Sequence, residues 1–64
     1  MGFGRNVARY RKLRKMRQAD LAQETGLSKG YISRIERGEA VPGAKTAAII
    51  AEKLKIGMDD LKKE

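Results

Sequence analysis

The 64-residue chain has no cysteine, no histidine and a single proline. Without cysteine it has no disulfide and no thiolate nucleophile, and without histidine it also lacks an imidazole base and the commonest zinc ligands. No metal site and no cofactor are expected. The carboxylates Asp59 and Asp60 are adjacent, not facing across a cleft, and a chain this short leaves little room for a pocket, so no catalytic residues are assigned and an enzyme is the least expected class. No apolar run approaches the roughly 20 residues of a membrane span. The opening MGFGRNVARYRKLRK lacks the apolar stretch of a secretory signal. Asn6 stands where a myristoylation signal needs Ser or Thr. These absences point to a reducing cytoplasm, no membrane partner and a fold held by packing alone.

Acid is also missing from one region. Residues 1–17 hold seven basic side chains and no acidic one, whereas residues 18–64 hold eight of each, so the whole net charge of +7 lies at the amino end. Such an end attracts polyanions, and by itself it fits RNA, an anionic surface or a solvated helix equally well.

The length sets one domain with a small core. Apolar spacing predicts helix 1 over roughly Arg5 to Lys15, with Val7, Tyr10, Arg11 and Arg14 on or beside one face and Leu13 at its edge. Helix 2 is predicted from about Gln18 to Thr25 and helix 3 from about Lys29 to Arg37, closed by Gly38. Residues 38–43 carry two glycines and a proline and read as a loop, with Val41 expected to tuck inward. Helix 4 is predicted over Ala44 to Leu54, with Ala47, Ile50, Ala51 and Leu54 at helical spacing. A short fifth helix begins near Met58, with Asp59 and Asp60 at its positive end and Leu61 inward. The chain ends at Lys62-Lys63-Glu64, early enough to suggest a fragment of a longer chain.

The most informative stretch is residues 18–37, QADLAQETGLSKGYISRIER. Leu21, Ala22 and Thr25 share a face of helix 2, with the small Ala22 where a second helix must cross closely. Gly26 stands where that helix must stop. Leu27 then drops inward, Ser28 can cap the next helix, and Ile32 and Ile35 point back at Ala22 and Leu21. Outward remain Lys29, Gly30, Tyr31, Ser33, Arg34 and Arg37, a basic and uncrowded face suited to a DNA groove.

From about Arg5 to Leu61 the chain resembles the phage repressor and Cro, or xenobiotic-response-element, type of helix-turn-helix domain. The residues that carry the resemblance are Arg11, Gln18, Leu21-Ala22, Gly26, Ile32, Ile35, Glu36-Arg37-Gly38, Pro42, Ile50-Ala51 and Leu54. The resemblance implies an all-α fold, a compact lambda-repressor-like bundle of four to five short helices spanning residues 1–64. Three departures are visible: Lys15 and Lys55 stand where the family has glycine, so the ends of helices 1 and 4 are expected to run on differently, and Gly30 lies inside helix 3, leaving one outward slot without a side chain. The resemblance also implies a partly buried ion pair between Arg11 and Glu36.

The implied function is a sequence-specific DNA-binding transcriptional regulator, a repressor, reading operator half-sites in the major groove with helix 3. Base contacts are assigned to Lys29, Gly30, Tyr31 and Arg34, with the two cations donating to guanine. Phosphate contacts are assigned to Gln18, Ser28, Arg37, Lys45 and Thr46. One unit makes few base contacts, so a homodimer is expected, formed in solution or only on double-stranded DNA, pairing through the fifth helix and the loop before helix 4. No small-molecule ligand is expected. The alternative is a protein-interaction module on the same fold, similar to bridging coactivators or antitoxins, with a partner on the apolar edge near Met58 and Leu61.

Overall fold

The computed structural model describes residues 2–62; Met1, Lys63 and Glu64, the ends of the expected 1–64 domain, lie outside the described residues. Five helices follow in order among the described residues: α1 (Phe3–Leu13), α2 (Gln18–Thr25), α3 (Lys29–Glu36), α4 (Ala44–Leu54) and α5 (Met58–Lys62). The fully buried side chains are Val7, Leu21, Ile32, Ile35, Ile50, Leu54 and Leu61, at least one from every helix. Ala22 and Ala51 sit among them, and α2 packs on both α3 and α4.

Four helices end in the same way. In a Schellman turn the residue after the helix adopts left-handed backbone, and its amide and the next one back-bond to the last turn. After α3, Gly38 (φ 77°) and Glu39 donate to the carbonyls of Ile35 and Arg34 at 3.0 and 2.8 Å. After α2, Gly26 has the same φ and Leu27 donates to Ala22 at 3.0 Å. After α1 and α4 the left-handed residue is a lysine: Lys15 (φ 58°), with Met16 donating to Arg11, and Lys55 (φ 60°), with Ile56 donating to Ala51. The expectation that Lys15 and Lys55 alter these ends is therefore corrected. The turns are kept, and the apolar residues that follow, Met16, Leu27 and Ile56, pack on the core and hold them.

Two further corrections concern α1 and the loop. The first helix starts and stops two residues before its predicted bounds, because Gly2 is its N-cap and Gly4 is already helical. Gly4 passes so close to α3 that a Cβ there would lie 1.9 Å from the Ile35 carbonyl oxygen; only glycine fits. In the loop, Val41 is 87% exposed, while its neighbour Pro42 is buried. The proline takes the inward place that hydrophobicity alone assigns to Val41.

Two polar contacts fix α1 against the carboxyl-terminal half. Buried Asn6 donates to the Leu61 carbonyl at 2.8 Å. The Arg14 guanidinium donates to the carbonyls of Leu54 and Lys55 at 2.9 and 3.3 Å, placing a cation at the negative end of α4.

Candidate nucleic-acid interface

The face of interest is built by the tight turn between α2 and α3. With Ile32 and Ile35 buried under α2, the opposite side of α3 is turned to solvent and carries Lys29, Gly30, Arg34 and Arg37. Ser33 is partly covered, and Tyr31 is half-buried, packed against the core edge. The Ser28 hydroxyl accepts the Tyr31 amide at 3.0 Å, so this side chain is occupied as the N-cap of α3.

Gly30 has nothing within 4 Å of where a Cβ would stand and has no left-handed backbone. Its fold therefore makes no demand for glycine, although glycine costs a helix roughly 0.5–1 kcal/mol relative to alanine.

Behind this face lies a buried charge cluster. Arg11 Nε and Nη2 donate to Glu36 Oε2 and Oε1 at 2.7 and 3.0 Å, a two-pronged pair whose side chains are 10% and 7% exposed. Such a pairing matches the planar guanidinium to the carboxylate. A third Arg11 donor reaches the Met16 carbonyl at 2.8 Å, and Gln18 Nε2 donates to Glu36 Oε1 at 3.0 Å. Gln18, at the first residue of α2, is thereby held against the last residue of α3, so the amino end of α2 and the carboxyl end of α3 form one corner.

Two exposed ion pairs flank the corner. Asp20 accepts the Arg17 amide at 2.8 Å and its guanidinium at 3.2 Å, which caps α2. The hydrogen bonds from the Arg17 side chain and backbone hold the Asp20 carboxyl below its ordinary range and raise the guanidinium. Arg37 donates to both Glu39 oxygens at 3.1 and 3.0 Å and also to the Ser33 hydroxyl. Those bonds lower the Glu39 carboxyl and raise Arg37. Glu39 thus occupies the guanidinium that the sequence assigns to phosphate.

Lys45 and Thr46 lie in the first turn of α4, after the extended N-cap Gly43; Lys45 is exposed and Thr46 half-buried. Of the residues the sequence singles out, α3 brings Lys29, Gly30 and Arg34 onto one open face, while Gln18, Ser28 and Arg37 are each engaged within the chain. Leu61, expected on a partner-binding edge, is fully buried and offers nothing to a partner; Met58 is half-buried beside it. Gly4, Asn6, the Arg14 clasp and Glu39 are not found by sequence reasoning. A glycine inside an amphipathic basic segment is the one signal that was present for Gly4.

The profile of the family described as Helix-turn-helix matches residues 7–61. An uncharacterized HTH-type transcriptional regulator of Bacillus subtilis, YazB, is 34% identical over 59 residues, covering 92% of this chain and 86% of the relative. The ImmF control region 10 kDa protein of Bacillus phage phi105 is 35% identical over 60 residues, 94% and 67% of the two chains. Among solved structures, the P22 c2 repressor in complex with a synthetic operator superposes with a TM-score of 0.91 at 32% identity, over 98% of this chain and 96% of that one. SinR, a master regulator for biofilm formation solved in complex with DNA, gives 0.87 at 27% identity, over 92% and 95%.

Proposed function

Because the chain belongs to the helix-turn-helix family, we propose that it is a sequence-specific DNA-binding regulator of transcription, acting as a repressor by occupying an operator. The observation that carries this reading is the open basic face of α3, with Lys29, Gly30 and Arg34 turned to solvent on a helix anchored by the Arg11–Glu36–Gln18 cluster. A rigid helix with a planar guanidinium one turn from its start fits the major groove, where Arg and Lys read guanine O6 and N7.

Base contacts fall to Lys29, Arg34 and the backbone around Gly30, with the Tyr31 ring at the edge. Phosphate contacts fall to Gln18, Ser28 and Arg37, and to Lys45 and Thr46 at the amino end of α4. Gln18 can brace Glu36 and offer its second amide hydrogen to phosphate. Arg37 must share its donors with Glu39 or release it.

The domain is 25 Å in its longest dimension, and equivalent half-sites on one face of a duplex lie about 34 Å apart. A palindromic operator therefore takes two copies. The apolar depression lined by Phe3, Val41 and Met58 is where a second copy would pair.

On a duplex enriched for binding, Lys29→Ala or Arg34→Ala lowers affinity by about 1–3 kcal/mol and relaxes preference at one base pair, whereas Gln18→Ala weakens all sequences evenly. Even losses for all three substitutions overturn the assignment of base readers.

A further inference from the structure

The amino-terminal charge excess is only partly used by the fold or by the proposed DNA face. Of the seven cations in residues 1–17, Arg11 pairs with Glu36, Arg14 holds the end of α4 and Arg17 pairs with Asp20. Lys15 stands in the left-handed turn after α1, and Arg5, Arg9 and Lys12 are left in one row along the outer side of the helix, spaced by four and three residues, which is roughly 6 and 4.5 Å along the axis. All three are exposed. They rim a shallow depression of about 360 Å³ floored by Ala8. Arg9 lies over the Tyr10 ring, 5.4 Å from its centroid, which fixes part of the row.

Beside the row stands Leu13, four residues after Arg9 and so its neighbour on the helix surface. It is 68% exposed, one of few large apolar side chains in the open.

The opposite side of α1 packs on α3, through Gly4 against Ile35 and through Arg11 on Glu36, and on α5 through Asn6. Since α1 meets the inward side of α3, Arg9 and Lys12 lie away from the face proposed to hold an operator, while Arg5, at the start of the row, also borders the depression beside Arg37.

We propose that the Arg5, Ala8, Arg9, Lys12 and Leu13 surface docks an acidic segment of a second protein that also presents an apolar side chain, and that it does so while α3 is on DNA. The second clause rests on the function proposed above; the first does not. Charge complementarity requires an anionic partner, and no acidic side chain in the first 17 residues opposes one. A phosphate backbone would leave Leu13 unused, and the row offers no open aromatic face on which unpaired bases could stack. A protein segment with carboxylates at helical spacing and one apolar side chain uses both features.

The test is an NMR titration of the chain, alone and bound to its selected duplex, with a synthetic amphipathic peptide carrying Glu at i, i+4 and i+7 and one Leu beside them. Control peptides replace Glu by Gln or Leu by Ser, and a random duplex serves as competitor. We expect amide shifts confined to α1 in both states. The triple variant Arg5→Glu, Arg9→Glu, Lys12→Glu should weaken the peptide at least about tenfold, and Leu13→Ser should weaken it about three- to tenfold without changing binding of the random duplex. All four positions are exposed, and thermal melting checks that the variants fold. Indifference to Leu13→Ser or shifts on α3 overturns the proposal, and displacement of the peptide from α1 by the random duplex overturns it by marking the row as a nucleic-acid surface. If shifts on α1 appear as expected but no duplex is ever selected, the DNA reading fails and the docking surface stands.

Discussion

Lys15 and Lys55 hold backbone conformations that L side chains reach at a cost of roughly 1–2 kcal/mol, and they do so where Gly26 and Gly38 serve the same turn. The turns persist because Met16 and Ile56, next in the chain, are packed on the core. Lys55→Gly is therefore expected to stabilise the domain by about 1 kcal/mol, the relief of left-handed strain less the added freedom of the unfolded chain; urea denaturation measures it. Gly30 presents the reverse case, a glycine that its own fold does not require. Gly30→Ala should raise stability by roughly 0.5–1 kcal/mol and at the same time weaken binding to the selected duplex, since the added methyl stands on the face proposed to meet the groove. A variant that is stabilised and binds unchanged would remove Gly30 from the contact set.

Between elements, the joint that matters most is the one linking α1, α2 and α3 at Glu36. Its carboxylate takes two bonds from Arg11 and one from Gln18, nearly out of solvent. Removing it leaves the Arg11 charge buried and uncompensated, so Glu36→Ala should cost about 3–5 kcal/mol by chemical denaturation. A loss below about 1 kcal/mol, the scale of an exposed pair, would contradict the burial. How far each element could be read from the sequence follows from what bounds it. The limits of α2 and α4 were legible because Gly26 and the Pro42-Gly43 pair punctuate the chain. The start of α1 was not, because a glycine weakens a helix locally and is retained at position 4 by the carbonyl of Ile35, a contact between distant residues. Asn6 and Arg14 are hidden for the same reason: their acceptors lie 55 and 40 residues away. Val41 misled because hydrophobicity does not say which of two adjacent loop residues turns inward. The face of α3 was legible, since burial of Ile32 and Ile35 decides which side chains point out. The engagement of Arg37 by Glu39 depends on the loop geometry after Gly38 and was not.

At the scale of the whole molecule, the fold presents two basic surfaces on two helices packed against each other. One is the open side of α3, rigidly backed by the Glu36 cluster; the other is the outer row of α1. The charge excess of residues 1–17 thus divides into cations that hold the fold together and cations left for partners. Whether the α3 face reads DNA sequence is decided by selection of bound duplexes from a randomised pool at near-physiological salt, followed by sequencing. A sequence-reading α3 face enriches an inverted repeat whose half-site centres are separated by about one helical turn or a multiple of it. Binding that is weak, uniform across sequences and lost as salt rises would contradict it.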